Sequence, residues 1–150
     1  MRTIEFALAE EPVRFMLTTT AVGAKRFQDL ETWQLGRDLR KEVYRLSASP
    51  AFAREFGLRD QLKSSAASIC ANIAEGFGRR SHADFARFLT IANGSIHEVQ
   101  NHLSDAHDRG ILSDTEMAAA FELADRTCAA VAALAGYLRR TPTPTFGKRP

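Results

Sequence analysis

Apolar residues recur at helical spacing in four separate stretches of the chain. The first stretch predicts a helix from about Leu30 to Ser47, which should end there because a residue ahead of a proline avoids the α region. The second predicts a helix that begins between Arg54 and Leu58 and ends at Gly76. The apolar stripes are Leu35, Leu39, Val43 and Leu46 in the first helix, and Leu58, Leu62, Ser65, Ile69 and Ile73 in the second.

The third and fourth stretches each open on a helix-start pattern. Asp84 follows Ser81 by three residues and Glu116 follows Ser113 by three, which is the spacing of a capping box. Gly110 fits the position just past the end of the third helix. Both stretches alternate apolar steps of four and three, the repeat of helices that pack nearly parallel. The repeat comprises Phe85, Leu89, Ala92, Ile96, Val99, Leu103 and Ala106, and then Met117, Phe121, Ala124, Cys128, Val131, Ala135 and Leu138.

The connections between these helices are short, which makes sequential helices antiparallel neighbours. We therefore predict an all-α protein, an antiparallel up-down-up-down four-helix bundle. The composition agrees, because 24 alanines stand against only five valines and six isoleucines. Helices three and four also carry second apolar stripes that one bundle core does not need, and we expect these to face another copy of the chain. The second stripes are Phe88, Ile91 and Ser95, and Leu123, Ala130 and Leu134.

The 150 residues correspond to one domain of ordinary size. We expect a flexible leader over residues 1–26, the bundle over 27–140 and a loose Pro/Thr-rich tail over 141–150; translation from Met16 is a second possibility. No run of about 18 apolar residues occurs, so no membrane span is predicted. Cys70 and Cys128 lie within apolar helical patterns, which favours two reduced core thiols in a cytoplasmic protein over a disulfide.

Polar residues lie close to the apolar stripes of helices two and three. They are Asn72 and Glu75 in helix two, and Ser95, Glu98 and His102 in helix three. We expect them to meet across the bundle as a hydrogen-bonded polar layer that fixes register and helix ends. A catalytic pair of Glu75 and Glu98 is the alternative, but no activated nucleophile or obvious general base accompanies it.

Two further site types were tested against the sequence. A di-iron bundle needs paired Glu-x-x-His motifs, but Glu75 is followed at that spacing by Gly78 and Glu98 by Asn101. The glycines between Glu75 and Arg80 are not followed by Gly-Lys-Ser/Thr, so they form no phosphate loop and are expected to end helix two and turn the chain. We predict no enzymatic activity, no metal and no cofactor.

Basic residues concentrate in the first half of the predicted bundle. Residues 27–90 carry ten basic and eight acidic side chains, whereas residues 91–140 carry four and seven. The candidate phosphate contacts are Arg59, Lys63, Arg79, Arg80 and Arg87, with Arg37, Arg40 and Lys41 as second choices. An ordinary solvated surface is the competing interpretation, but repetition in an oligomer would multiply a weak basic patch.

Several short motifs together resemble a known family. They are Phe27-Gln-Asp-Leu30, Trp33-Gln34, Val43-Tyr44, Gly57-Leu58, Gln61-Leu62, Ser68-Ile69, Asn72-Ile-Ala-Glu-Gly76, and Ile91-Ala-Asn-Gly-Ser95 with Glu98. In this order they resemble the 23S rRNA intervening sequence (S23) proteins, which are bacterial four-helix bundle proteins, over about residues 27–140. The resemblance implies a ring-like homopentamer. It also implies a structural relationship to the accessory variability determinant protein of diversity-generating retroelements, which uses basic surfaces for nucleic acid.

The chain departs from that resemblance at two points. Family members often carry a proline after Ser-Ile in helix two, where this chain has Cys70, and the predicted bundle is slightly acidic whereas the retroelement relative is markedly basic. We expect a non-enzymatic oligomeric adaptor that contacts RNA or a ribonucleoprotein through its basic residues. The alternative is a structural protein-interaction scaffold with no affinity for nucleic acid.

Overall fold

The computed structural model describes residues 24–143, and within that range it consists of four α-helices and no strands. The helices are α1 (Glu31–Ser47), α2 (Phe56–Phe77), α3 (His82–Asp108) and α4 (Asp114–Arg140). Short 3-10 turns at Phe27–Asp29 and Pro50–Phe52 precede α1 and α2. Most of the predicted leader, the Met16 start and most of the predicted tail lie outside the described residues.

Each helix packs against its neighbours in sequence, and α4 returns to pack against α1. An ion pair of 3.0 Å between Glu55, at the start of α2, and Arg109, at the end of α3, places these helix ends side by side. At the other end of the bundle, His82 Nδ1 lies 2.9 Å from the carbonyl oxygen of Thr141. These contacts alternate the helix directions, so the predicted four-helix bundle is confirmed.

The inner face of each helix is the apolar stripe that the sequence indicates. Leu39, Leu62, Ile69, Leu89 and Ile96 are completely buried. The stripe of α1 is rotated slightly from the prediction: Leu35 is only partly buried, whereas its neighbour Gly36 is buried against α2.

The predicted helix ends are confirmed at three points. The Ser81 hydroxyl accepts a hydrogen bond from the Asp84 amide, and Ser113 and Glu116 form a complete reciprocal capping box. After α3, Gly110 takes a φ of 72°, which few residues other than glycine adopt. The amides of Gly110 and Ile111 then reach the carbonyls of His107 and Ala106 at 2.8 and 2.9 Å, which is the Schellman arrangement.

The glycines at the end of α2 have a different role from the predicted one. Gly76 lies inside the helix and is buried, and a Cβ atom added there would stand 2.7 Å from both Phe85 and Phe88. Its missing side chain therefore lets α3 approach α2 closely. Gly78 follows the last helical residue and keeps a helical φ of −75°, so no left-handed turn is made there.

The second apolar stripes are only partly available to another copy. Phe88, Ala130 and Leu134 are buried within the chain, and Leu123 is half-buried. Only Ile91 remains exposed, at 43%. Phe88 lies inward because Gly76 lets α3 approach α2 closely, and this contact is not visible in the apolar pattern.

Both cysteines are free, but they differ in burial. Cys70 is buried beside Gly36 of α1, as predicted for a core thiol. Cys128, on α4, is partly buried and packs against the edge of the core. None of the helices between residues 24 and 143 is long and apolar enough to span a membrane.

Candidate nucleic-acid interface

Three of the candidate basic residues lie around the turn between α2 and α3. The guanidinium carbons of Arg79 and Arg87 stand 4.7 and 4.8 Å from the ring centroid of Phe88, so one ring carries two cations. Arg79 also pairs with the Glu75 carboxylate one helical turn earlier. Arg80 is exposed in the turn itself. We call Arg79, Arg80, Arg87 and Phe88 the loop patch.

The other two candidates lie at the opposite end of α2. The Arg59 guanidinium stands 5.0 Å from the ring centroid of Phe56 and pairs with Asp60 at 3.2 Å. The Lys63 ammonium lies 5.5 Å from the ring centroid of Tyr44, on α1. Within the described range, Lys63 and Arg87 have no carboxylate within ion-pair distance.

The five candidates therefore do not form one site. Arg59 lies eighteen residues before Phe77, the last residue of α2, which is about 27 Å at 1.5 Å per residue, and Arg79 lies in the turn just beyond. The structure brings Arg79 and Arg87 together over Phe88, and it places Arg59 and Lys63 on neighbouring turns at the far end. Any anionic partner that engages all five must span most of the length of the bundle.

The second-choice cations, Arg37, Arg40 and Lys41, lie on two different sides of α1. Arg37 lies over Trp33 at 5.6 Å, and Arg40 is close enough to Cys70 for its charge to act on that thiol, so both lie on the side facing α2. Lys41 instead lines a groove of about 460 Å³ between α1 and α4. There the Arg45 guanidinium binds Glu42 at 2.6 Å and holds the pKa of that carboxyl below its usual value. Acidic and basic side chains both line that groove, so it is a weaker candidate for binding phosphate than the loop patch.

Polar groups also meet between α2 and α3. Ser68 and Ser95 share a hydrogen bond of 2.9 Å, and the Ser65 hydroxyl donates to Glu98 at 3.2 Å. Asn72 stays on its own helix, where its amide donates to the Ser68 carbonyl and hydroxyl at 2.8 and 3.0 Å. These groups border an open groove of about 720 Å³ whose wall includes His97 and His102.

Glu75 lies apart from these polar groups and pairs with Arg79. Glu98 binds Ser65, which is ten residues from Glu75 along α2, or about 15 Å. The two carboxylates therefore do not form a pair that flanks one substrate. In the part of the chain that the structure describes, no group of three or more His, Cys, Asp or Glu side chains is arranged to hold a metal ion.

The sequence reasoning missed the aromatic partners of the cations. Phe56 and Arg59 are three residues apart on one helix, so their contact is visible in the spacing. The contact of Tyr44 with Lys63 joins two helices and depends on their packing. The sharing of Phe88 by two arginines depends in turn on the approach allowed by Gly76.

A family model described as 23S rRNA-intervening sequence protein matches residues 28–133. The match begins in the 3-10 turn before α1 and ends within the last third of α4, so it includes both basic patches and the polar groups between α2 and α3. A sequence comparison with curated proteins gives no match.

Proposed function

The chain belongs to the 23S rRNA-intervening sequence protein family, and from that membership and its basic surface we propose a non-enzymatic adaptor that contacts RNA or a ribonucleoprotein. The observation that carries the proposal is the stacking of the candidate cations on aromatic rings. Arg87 and Lys63 rest on Phe88 and Tyr44 without a carboxylate partner in the described residues. Their charge stays available to phosphate oxygens, which fix a partner's position without reading its sequence.

We further propose that the adaptor is a homo-oligomer, as the family resemblance to pentameric bundles implies. Gly94 supports this, because a Cβ added there would meet nothing within 4 Å in the chain itself. A glycine in a helix interior costs about 1 kcal/mol relative to alanine. The exposed Ile91 lies one turn away on the same helix. A close approach by a second copy over Ile91 and Gly94 accounts for both residues.

Charge reversal tests the RNA contact. Replacing Arg59, Lys63, Arg79 and Arg80 by Glu removes cations from both patches, and we expect it to abolish retention of a structured RNA while leaving the mass of the oligomer unchanged. Binding of the unaltered protein should weaken sharply between about 50 and 200 mM salt, since each phosphate contact contributes roughly 0.7 to 0.9 to the salt slope. Fluorescence anisotropy with labelled RNA measures both effects.

A matched pair of single variants controls for net charge. Arg80→Glu and Arg126→Glu change the charge equally at exposed positions, but only Arg80 belongs to a basic patch. Only Arg80→Glu should weaken binding. If retention survives the fourfold reversal, the residue assignment is wrong. If the unaltered oligomer binds no RNA even at about 50 mM salt, where phosphate contacts are strongest, the protein-interaction scaffold replaces this proposal.

A further inference from the structure

Large apolar side chains stay exposed at few places in the described residues, and two of them lie at the same end of the bundle. Phe56, in the first turn of α2, is 60% exposed, and Tyr44, in the last turn of α1, is 41% exposed. Rings of this size normally contribute more area to a core than any other side chain. Their exposure on adjoining helices at one end of the bundle points to a ligand for aromatic faces.

Each of these rings is accompanied by a cation on the same surface. Arg59 lies over Phe56 and Lys63 lies beside Tyr44, at 5.0 and 5.5 Å from the ring centroids. Phe56, Arg59 and Lys63 follow one another at steps of three and four, so they share a face of α2. The exposed surface between α1 and α2 therefore alternates aromatic rings and positive charges.

The same pattern continues along α1. Trp33, Arg37 and Tyr44 recur at multiples of the helical repeat, and the Arg37 guanidinium lies 5.6 Å from the Trp33 ring centroid. The Trp33 ring is partly buried and also packs edge to face on Phe27, at 5.3 Å between ring centroids. Eleven residues separate Trp33 from Tyr44, which corresponds to about 16 Å of helix. We call this surface the α1–α2 strip. It consists of Trp33, Arg37, Tyr44, Phe56, Arg59 and Lys63.

The charge of the strip favours a polyanion over another copy of the chain. Its three cationic side chains, with Arg40 on the same face of α1, exceed the neighbouring carboxylates of Asp38 and Asp60. A self-complementary contact between two such strips would bring like charges together, whereas an anionic chain would be attracted along the whole strip.

We propose that the α1–α2 strip binds a single-stranded stretch of RNA, with bases stacked on Tyr44 and Phe56 and phosphates held by Arg59 and Lys63. Alternating aromatic faces and cations are what sequence-tolerant single-strand binding needs, because every base has a π-face. A duplex keeps those faces inside its stack and presents only its backbone. The inference rests on the proposed RNA contact and specifies its substrate class.

Replacing Tyr44 and Phe56 by leucine tests the strip, because leucine keeps an apolar side chain but has no aromatic face on which a base can stack. The probes are a fluorescein-labelled unstructured ten-nucleotide RNA and a ten-base-pair RNA duplex, at about 50 mM salt, where phosphate contacts are still strong. The unaltered protein should prefer the single strand. The double variant Tyr44→Leu, Phe56→Leu should lose roughly 5- to 160-fold in single-strand affinity for each stacked base, with little change for the duplex.

Conservative variants and a second readout control for folding. Tyr44→Phe and Phe56→Tyr keep a stacking face and should bind the single strand as the unaltered protein does. Trp33 is the only tryptophan in the chain, so its fluorescence reports directly on the strip. Single-stranded RNA should change that emission, and a variant that binds only through the loop patch should show no change.

The outcomes separate this inference from the function on which it rests. Equal binding of single strand and duplex, unchanged by the leucine variant, would leave the RNA contact standing and overturn the strip. An unchanged RNA affinity with a smaller oligomer would show that another copy covers the rings, which also overturns it. No binding of either RNA at low salt would overturn both proposals.

Discussion

The two cysteines show how strongly the surroundings of one residue decide its chemistry. Cys70 is 3% exposed at the contact between α1 and α2, and burial raises the pKa of its thiol. Cys128 is only partly buried, and its sulfur donates a hydrogen bond of 2.9 Å to the amide oxygen of Asn93. Partial burial raises the pKa of Cys128 too, so both residues are thiols at neutral pH. Their accessibility therefore decides which of them reacts.

A thiol-specific reagent that releases thionitrobenzoate should react with one thiol, that of Cys128, in each folded chain. It should react with the second thiol, that of Cys70, only after unfolding. The rate at Cys128 should rise as the pH approaches its raised pKa, because the thiolate is the nucleophile. Absorbance of released thionitrobenzoate measures both phases. Cys128→Ser should remove the fast phase, and Cys70→Ala should retain it. Equal reaction of both thiols in the folded protein would contradict this prediction.

At the scale of the elements, the contact between α2 and α3 depends on one missing side chain. Gly76 lets the rings of Phe85 and Phe88 lie against the last turn of α2. Phe77 and Phe85 then meet edge to face, with ring centroids 6.1 Å apart. The same contact places Phe88 beneath Arg79 and Arg87, so the loop patch is built on this close approach.

Gly76→Ala should destabilise the fold. Its Cβ would stand 2.7 Å from two phenylalanine side chains, and such overpacking costs about 1–3 kcal/mol, more than the gain in helix propensity of up to about 1 kcal/mol. Gly57→Ala is the matched control, because a Cβ there meets nothing within 4 Å. Urea unfolding should show a loss only for Gly76→Ala; equal stability of the two variants would refute the packing role.

Most of the fold could be predicted from patterns among residues that lie close together in the sequence. The capping boxes, Gly110 and the apolar repeats act within a few residues of one another, so the four helices and their ends follow from spacing. The role of Gly76 did not follow, because a glycine that ends a helix and one that permits close packing look alike in one chain. The separation of Glu75 from Glu98 was also missed, since it depends on the register of two antiparallel helices. The division of the basic candidates into two groups, by contrast, follows from their spacing along the sequence.

At the scale of the whole molecule, the face around Ile91 is where we propose the contact between copies. This side chain is 43% exposed on α3, and the neighbouring Gly94 offers a place where another helix can approach closely. The other two members of the predicted second stripe on α3 face the bundle. Phe88 is buried there, and Ser95 hydrogen-bonds Ser68. The proposed contact between copies is therefore narrower than the apolar pattern indicated.

Ile91→Arg should reduce the proposed oligomer to smaller species without unfolding the bundle, because Ile91 lies outside the buried core. Multi-angle light scattering measures the mass, and circular dichroism checks the helix content. Ile91→Leu keeps the apolar area and should leave the mass unchanged. An unaltered protein of monomer mass, or an arginine variant that assembles normally, would exclude this face as the contact.

The separation of the two basic patches along α2 has a consequence for how tightly long and short ligands are held. One continuous helix joins the patches, so their spacing of about 27 Å is fixed by the rise of the helix. If the protein binds RNA as proposed, an RNA that reaches only one patch binds with that patch's affinity alone. Once the strand spans both, the second contact becomes intramolecular and benefits from a high effective concentration. The length of α2 therefore sets the shortest strand that can reach both patches, and strands longer than this should bind more tightly than shorter ones.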